Sequence, residues 1–487
     1  MKFPSFDLER IQSIYENSVE INLTESGIEP LSLKELMNPK ELEELLNLPL
    51  GYGYTQGTPL LRQRISNLYE GADENNVLVT SGSSEAIFLS AVLTVSKGDR
   101  VVMMTPNYLS FNGVAEALGA DVDYVPLLKK EKWEWDLDCL DEAVSEIAKI
   151  GFQETPLVLL SELSEAIGQN GGVWAKNETV NVSGSHKARH LFGLAIRLEI
   201  EEVPKNKPLT IASCGNAALS ASVIAKAAKR NLTVNVPTWA ETSLLDGLSD
   251  NGAQIQICER RSDESGDPCM LRFRELLEEG ALPFGCQGTE NIWTIDGGKT
   301  LGFEMSTQLS RYGLEPDRLL VQVGGGALAS STMQALTDAK NLGVLKTKPS
   351  LNTVQATGCS PLSVAFNRIA DSENPLEALS EAISSPLKYM EPWETPSSAA
   401  TGILDDVTYD WLPLVWDMLF GDNVGGPLSA SEEKILLAKK LVADHTDISA
   451  STTGTAGLAG LLAAKEDDCI DSDDSVVILI TGVDREF

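Results

Sequence analysis

Histidine is almost missing from this chain: 487 residues hold three, and two of them, His186 and His190, stand beside one lysine. The seven cysteines, Cys139, Cys214, Cys258, Cys269, Cys286, Cys359 and Cys469, include no Cys-x-x-Cys pair and are odd in number. Neither a zinc centre nor a disulfide framework is expected from such material, and a reduced compartment is. Positive charge is scarce as well: 38 Lys and Arg face 71 Asp and Glu, a net charge of −33. That field repels a phosphate backbone and an anionic lipid surface, so neither nucleic acid nor membrane is an expected partner. No apolar run nears the roughly 18–20 residues that span a bilayer. The opening "MKFPSFDLERIQ" carries charges where a signal peptide needs an apolar stretch, so a cytoplasmic protein with a solvated acidic surface is expected.

What is present is ordinary globular material, 43% hydrophobic and 22% charged. The length suggests two to four domains. No internal repeat or low-complexity segment occurs, yet two different patterns meet near residue 150. Over 1–150, "LKELMNPKELEELLNL" and "LLRQRISNLY" have helical spacing. "NNVLVTSGSSEAIFLSAVLTV" reads as strand, turn and helix; "DRVVMMTP" and "DVDYVPL" read as strands around the helix "SFNGVAEALGA". This is βαβ patterning. "KKEKWEWDLDCLDEAVSEIAKI" then predicts a charged amphipathic helix at the end of a domain. Over 151–487 strands again alternate with helices: "GVWAKNETV", then "SHKARHLFGLAIRLEIEE"; "PLTIASCGNAALSASVIAKAAKR"; "LTVNVPTW"; "AQIQICE"; "RLLVQVGGGALASSTMQALTDAK"; "SVVILITGV". The fold class expected is α/β, a two-lobed enzyme with its ligand between the lobes, preceded by a partial α/β module.

Three loops of the second pattern lead into helices, whose N-termini present unpaired N–H groups to anions. Gly324, Gly325 and Gly326 follow a strand and let the backbone approach a ligand closely, which suits a phosphate; a tight strand-to-helix turn is the other reading. "SCGNAALS", Ser213 to Ser220, offers backbone N–H groups and the Asn216 amide to a carboxylate, although a packed helix cap would look similar. In "NVSGSHKARHLFG", Lys187 falls in the first turn of a helix, the end that disfavours a cation. An exposed lysine with its stem over apolar neighbours is one explanation. A lysine held as an imine is the other, and that chemistry uses all three loops. An aldehyde cofactor brings a phosphate and an amino acid brings a carboxylate.

"SGSHKAR", "SCGNAALS", "VGGGALASS" and "STTGTAGLAGLL" occur in the order found in the tryptophan synthase β-like, fold-type II family of pyridoxal-phosphate enzymes, which the chain resembles over 152–487. "ETPLVLLSEL" is similar to that family's opening. The resemblance implies pyridoxal 5′-phosphate as cofactor and Lys187 as the residue that bonds to it. It places His186 near the phosphate and Ser185 in the small hydroxyl position before it. It gives Asn216 the cofactor's phenolic oxygen, and Ser213, Cys214, Gly215 and Asn216 the substrate carboxylate. Gly324, Gly325, Gly326 and Ala327 would hold the phosphate, and Thr453 would face the pyridine nitrogen. A neutral hydroxyl there leaves that nitrogen largely unprotonated, favouring elimination and replacement over transamination. Two departures bear on the reaction: Ala217 stands where dehydratases often have His, and Ala327-Leu328 where Ser and Asn often follow the glycines. The implied activity is β-elimination or β-replacement on a small hydroxy amino acid or its activated ester, as in threonine dehydratases and synthases. Threonine synthase-like γ-replacement is the nearest alternative, and a catalytically silent cofactor-binding scaffold is one of another class.

"GYGYTQGTPLLRQRI", "NVLVTSGSSEAIFLSAVLTVSKGDRVVMMTPNYLSF" and "GADVDYVPL" resemble the N-terminal part of a class I/II aminotransferase, fold-type I, over about 20–147. Ser81, Gly82 and Ser83 are similar to its phosphate turn, and Tyr108 to the aromatic that stacks on the cofactor. The later aspartate and lysine of that family have no counterpart before the second pattern begins. A truncated module at 1–150, used for dimerisation or regulation, is therefore expected beside a catalytic domain at 151–487. A bifunctional fusion with a residual aminotransferase role is the alternative. The uncovered sheet of such a half-domain leads to the expectation of a homodimer or higher homo-oligomer.

Overall fold

The structure is a computed structural model that describes residues 3–16, 18–22, 31–69, 71–108, 110–127, 144–262 and 267–485. Its contacts divide the chain into two units, 1–136 and 137–487.

In the first unit, β1 (Arg100–Thr105) and β2 (Asp121–Pro126) pair in parallel, Arg100 opposite Asp121. The helix Ser110–Leu118 connects them, and the helix Ser83–Thr94 packs against it. Among the described residues of this unit, the only buried apolar side chains are Ala91, Ala115 and Ala120. β1 alternates exposed with half-buried positions, and Val102 and Met104 lie on the open face. The strand expected at "NVLV" does not form. Val79 N–H reaches Gln56 O instead, and the segment joins neither edge of the two-stranded sheet. "LKELMNPKELEELLNL" is two helices, Leu33–Leu36 and Pro39–Leu46. Asn38 caps the second through two backbone N–H groups, and Pro39 takes the first helical position, where no N–H is needed. The amphipathic helix expected over 129–150 falls largely outside the described residues. Its described end is helical at 144–148 and packs Ile147 into the core of the second unit.

Among its described residues the second unit has ten strands: β3 (Leu157–Leu159), β4 (Val173–Asn177), β5 (Leu209–Ala212), β6 (Leu232–Pro237), β7 (Gln254–Cys258), β8 (Leu282–Pro283), β9 (Arg318–Gln322), β10 (Ser350–Ala356), β11 (Gly426–Ala430) and β12 (Val476–Ile480). One sheet has the order β11-β10-β9-β12-β4-β3, parallel except for the antiparallel edge strand β3. The other, β7-β6-β5-β8, is wholly parallel. β10 and β12 are buried at every residue, as strands covered on both faces must be. The two-residue period sorts the side chains of β9 and β12. Leu319, Val321, Val477 and Leu479 enter one core, while Leu320, Val476, Ile478 and Ile480 enter the other. Each such buried side chain contributes about 1.5–3 kcal/mol. A third core joins the four-stranded sheet to the helix Lys187–Ile200 through Leu191, Ile211 and Val234. That helix crosses the helix Trp293–Tyr312 where two glycines meet. A Cβ on Gly193 would lie 2.4 Å from Gly297 Cα, so only glycine permits the approach.

Candidate active site

The three loops expected from sequence all sit at the carboxyl ends of parallel strands or open a helix, the side of such a sheet where ligands bind. Ser213, Cys214 and Gly215 follow β5, and Asn216 starts the helix Asn216–Ala227. Gly324, Gly325 and Gly326 come just past the end of β9, and Ala327 starts the helix Ala327–Asn341. Gly326 has φ +97°, a left-handed conformation that sets the turn. Lys187 is the first residue of its helix and is half-buried.

Hydrogen bonds tie these loops together. Lys187 N–H donates to Ser185 Oγ at 3.2 Å, and Ser185, fully buried, pairs with Gly482 past the end of β12. His186 gives both its backbone N–H (3.1 Å) and its ring Nδ1 (3.2 Å) to Thr481 O. Because a carbonyl only accepts, Nδ1 carries the ring proton. Burial, together with the Lys187 charge, pushes His186 well below its ordinary value, so the ring is neutral. His190 is likewise buried, donates from Nδ1 to Thr294 O at 2.8 Å and is pushed down to about 4 by burial. Asn216 lies against Gly482, its Nδ2 3.0 Å from where a Cβ on that glycine would stand. Its Oδ1 accepts from Arg485, which also donates to Ser183 O. Gln322 Nε2, at the end of β9, reaches Thr481 Oγ1 at 2.8 Å and the carbonyls of Thr453 and Gly454 at 3.0 Å. Thr453 Oγ1 accepts the Gly402 N–H at 3.0 Å, which fixes the start of the segment that runs on to Asp405.

Sequence reasoning misses that segment. Asp410 N–H donates to Gly325 O at 2.8 Å, and Asp405 Oδ2 lies against the same loop, 2.3 Å from where a Cβ on Gly324 would stand. Burial pushes Asp405 up and pushes Asp410 up to about 6; the Lys187 charge opposes both shifts, so both carboxyls lie within its electrostatic reach. The "DDVTYD" run is the one signal available in the chain, and it resembles any solvated acidic turn. Beneath the lysine helix lies a second feature with no local signal. Arg189 forms a two-bond pair with Glu178, both at 2.8 Å, and reaches Glu304 at 2.8 Å; Lys176 also pairs with Glu304 at 2.5 Å. Arg189, Lys176 and Glu178 are almost wholly buried, and the two cations balance the two anions. Burial alone would raise Glu304, but Arg189 and Lys176 hold it down at about 2.

In the first unit, Gly82 (φ +89°) caps the helix Ser83–Thr94, and Ser81 N–H donates to Glu85 of that same helix at 2.5 Å. Tyr108 packs edge-on against Phe6 and donates its hydroxyl to Glu9.

The described residues include no cluster of His, Cys, Asp or Glu able to hold a metal ion, and none of their helices is long and apolar enough to cross a membrane. Against known families, residues 148–482 match the pyridoxal-phosphate dependent enzyme model, and 41–169 match the aminotransferase class I and II model. A threonine synthase of Methanocaldococcus jannaschii is 24% identical over 329 residues, 67% of this chain and 74% of that one. A probable aspartate aminotransferase of the same organism is 28% identical over 128 residues, 24% of this chain and 34% of its own. Among solved structures, the processed form of threonine deaminase isoform 2 from Solanum lycopersicum superposes with a TM-score of 0.55 at 20% identity, covering 72% of this chain and 91% of that one.

Proposed function

The chain belongs to the pyridoxal-phosphate dependent enzyme family, and on that premise we propose that it catalyses β-elimination or β-replacement on a small hydroxy amino acid or its activated ester. Its cofactor is pyridoxal 5′-phosphate. The residues fit the group. The glycine loop opens a helix, has no room for side chains and has the Asp405 carboxyl against it, while an amine stands half-buried within electrostatic reach of that carboxyl. When bound, the cofactor supplies an electron sink for an amino acid joined to it through its amine.

Lys187 Nζ would hold the cofactor, and its amine would be the group that accepts the proton from the substrate's Cα. Gly324, Gly325, Gly326 and Ala327 hold the phosphate by backbone N–H groups and the helix N-terminus. Ser213, Cys214, Gly215 and Asn216 receive the substrate carboxylate. Asn216 also addresses the phenolic oxygen, and its Oδ1 is already occupied by Arg485, which leaves Nδ2 as the donor. Ser185 and the neutral His186 set the Lys187 backbone against β12. Thr453 is assigned to the pyridine nitrogen, and its hydroxyl, while accepting from Gly402, still has a proton to donate. In this reading 151–487 is the catalytic domain, and 1–150 is a non-catalytic aminotransferase-like module that mediates a homo-oligomer.

The observation that carries the reading is that hydrogen bonds tie these stretches to shared neighbours: His186 and Gln322 meet at Thr481, Gln322 and Gly402 at Thr453, Asn216 and Ser183 at Arg485, and Gly325 accepts from Asp410. The similarity to threonine synthases supports γ-replacement as the second reading. The test is spectroscopic. An absorbance band at about 410–420 nm is expected from a lysine-bound cofactor, and it should shift on adding serine or threonine. A shift only with a γ-phosphorylated hydroxy amino acid would favour the second reading, and no band at all would remove both.

A further inference from the structure

The glycine loop assigned to the phosphate already has a carboxyl group set against it. A Cβ on Gly324 would stand 2.3 Å from Asp405 Oδ2, and one on Gly325 3.6 Å from the same oxygen. The backbone behind this side chain is fixed. Cys359 Sγ donates to Asp405 O at 3.3 Å, and Thr453 holds Gly402 a few residues upstream. The carboxyl group can turn, but its segment is tied to the loop.

A carboxylate and a phosphate dianion in one cradle repel, and the pair then favours a proton on one of them. A neutral carboxylic acid instead offers an O–H to a phosphate oxygen. The loop needs such a donor, because Ala327 and Leu328 bring no hydroxyl or amide of their own. The surroundings push towards the neutral acid. Burial raises the Asp405 carboxyl and Asp406 adds to the rise, against Lys187 and the Gly325 N–H. The other titratable groups facing it are Tyr409, pushed up by burial and by these carboxylates, and Cys359, pushed up to about 11 by burial. Both remain neutral through the physiological range.

On the reading that this loop holds the cofactor's phosphate, we propose that Asp405 is a phosphate-binding residue that works only as a neutral acid: protonated it donates to the phosphate, and ionised it occupies the loop in the phosphate's place. Where Asp405 is ionised in the free protein, at the alkaline end of the range, binding therefore takes one proton from solvent onto its carboxylate, and no covalent bond changes.

The probe is 4′-deoxypyridoxine 5′-phosphate, which has the phosphate but no aldehyde, so Lys187 forms no bond to it. It is titrated into the full-length protein, freed of cofactor, across the range of about pH 6.5–9. Above about pH 7.5 the phosphate is already dianionic and contributes little proton uptake of its own. Wild-type affinity should fall by about tenfold per pH unit once Asp405 ionises. Asp405→Asn, which keeps a donor and carries no charge, should bind about tenfold more tightly than wild type at the alkaline end, with a flat profile. A wild-type pH slope in the Asn variant overturns the proposal. Should that variant not fold by circular dichroism, calorimetry on the wild type in two buffers of different ionisation enthalpy decides: uptake of up to about one proton supports it, and no uptake overturns it. Unphosphorylated 4′-deoxypyridoxine is the control. If it binds as tightly as the phosphorylated probe, the phosphate is not held here and the cofactor-site assignment itself falls.

Discussion

Two glycine turns of this chain open a helix with a carboxyl group beside them, and they differ in what gathers around them. At Ser81 the N–H donates to Glu85, from the very helix that the turn opens, and the contact is an ordinary helix cap. At Gly324 the neighbouring carboxyl is Asp405, delivered from a distant segment, with a lysine within its electrostatic reach and a buried imidazole and a second helix N-terminus held by their own hydrogen bonds. The surroundings explain the difference. The first unit buries no apolar side chain larger than alanine among its described residues, so nothing holds remote segments in register. The second has three cores and two sheets to aim its loops. A phosphate-type turn becomes a site only where packing brings other chemistry to it.

The sharpest way to break that contrast is Lys187→Ala. We expect loss of the band at about 410–420 nm after dialysis and turnover at background, about 10⁴-fold down, because no lysine in the first unit replaces it. A retained band would mean the first turn holds cofactor after all. Next in size, Arg189→Ala should lower stability by about 3–5 kcal/mol in chemical denaturation, since it strands Glu178 and Glu304 without their shared cation. A loss under about 1 kcal/mol would show that this network is not what holds the lysine helix.

Acid should act through the same cluster. Glu304 sits far below an unfolded carboxylate, so its contribution is present above about pH 4.3 and is lost as pH falls towards about 2. Stability measured between those limits should decline in the wild type and decline less in Glu304→Gln. Removing residues 1–143 should leave the absorbance band and one cofactor per chain, while changing the oligomeric state or promoting aggregation. Unchanged size and solubility would end the assembly role. The smallest effect is reserved for Thr453→Val. Loss of the Gly402 cap costs about 1 kcal/mol; a drop in elimination beyond about tenfold would place the hydroxyl at the ring as well.

Sequence carried the local features of the site and missed the convergent ones. Lys187 at a helix start, the glycines past β9 and Asn216 past β5 are each legible from residue type and a strand-to-helix change of period. Asp405, Asp410, Thr481 and Arg485 have no such mark, because their roles come from tertiary placement. The same holds for Glu304, whose helix reads as one more amphipathic segment. In the first half the βαβ pattern was legible, yet "NVLV" has strand composition and joins no strand among the described residues.

β12 is the last strand of the six-stranded sheet in sequence and lies inside it, between β9 and β4. During synthesis, then, β4 and β9 cannot be joined until residues up to 480 have left the ribosome, because the strand that bridges them does not yet exist. The earlier strands must wait with their edges open, which is when a nascent chain is most exposed to aggregation and most in need of a chaperone. Thr481 and Gly482, which fasten His186 and Ser185, arrive in the same step. Assembly of the proposed site is thereby coupled to the emergence of β12: a ribosome stalled before this strand carries a chain with Lys187 made and the partners of His186 and Ser185 still missing.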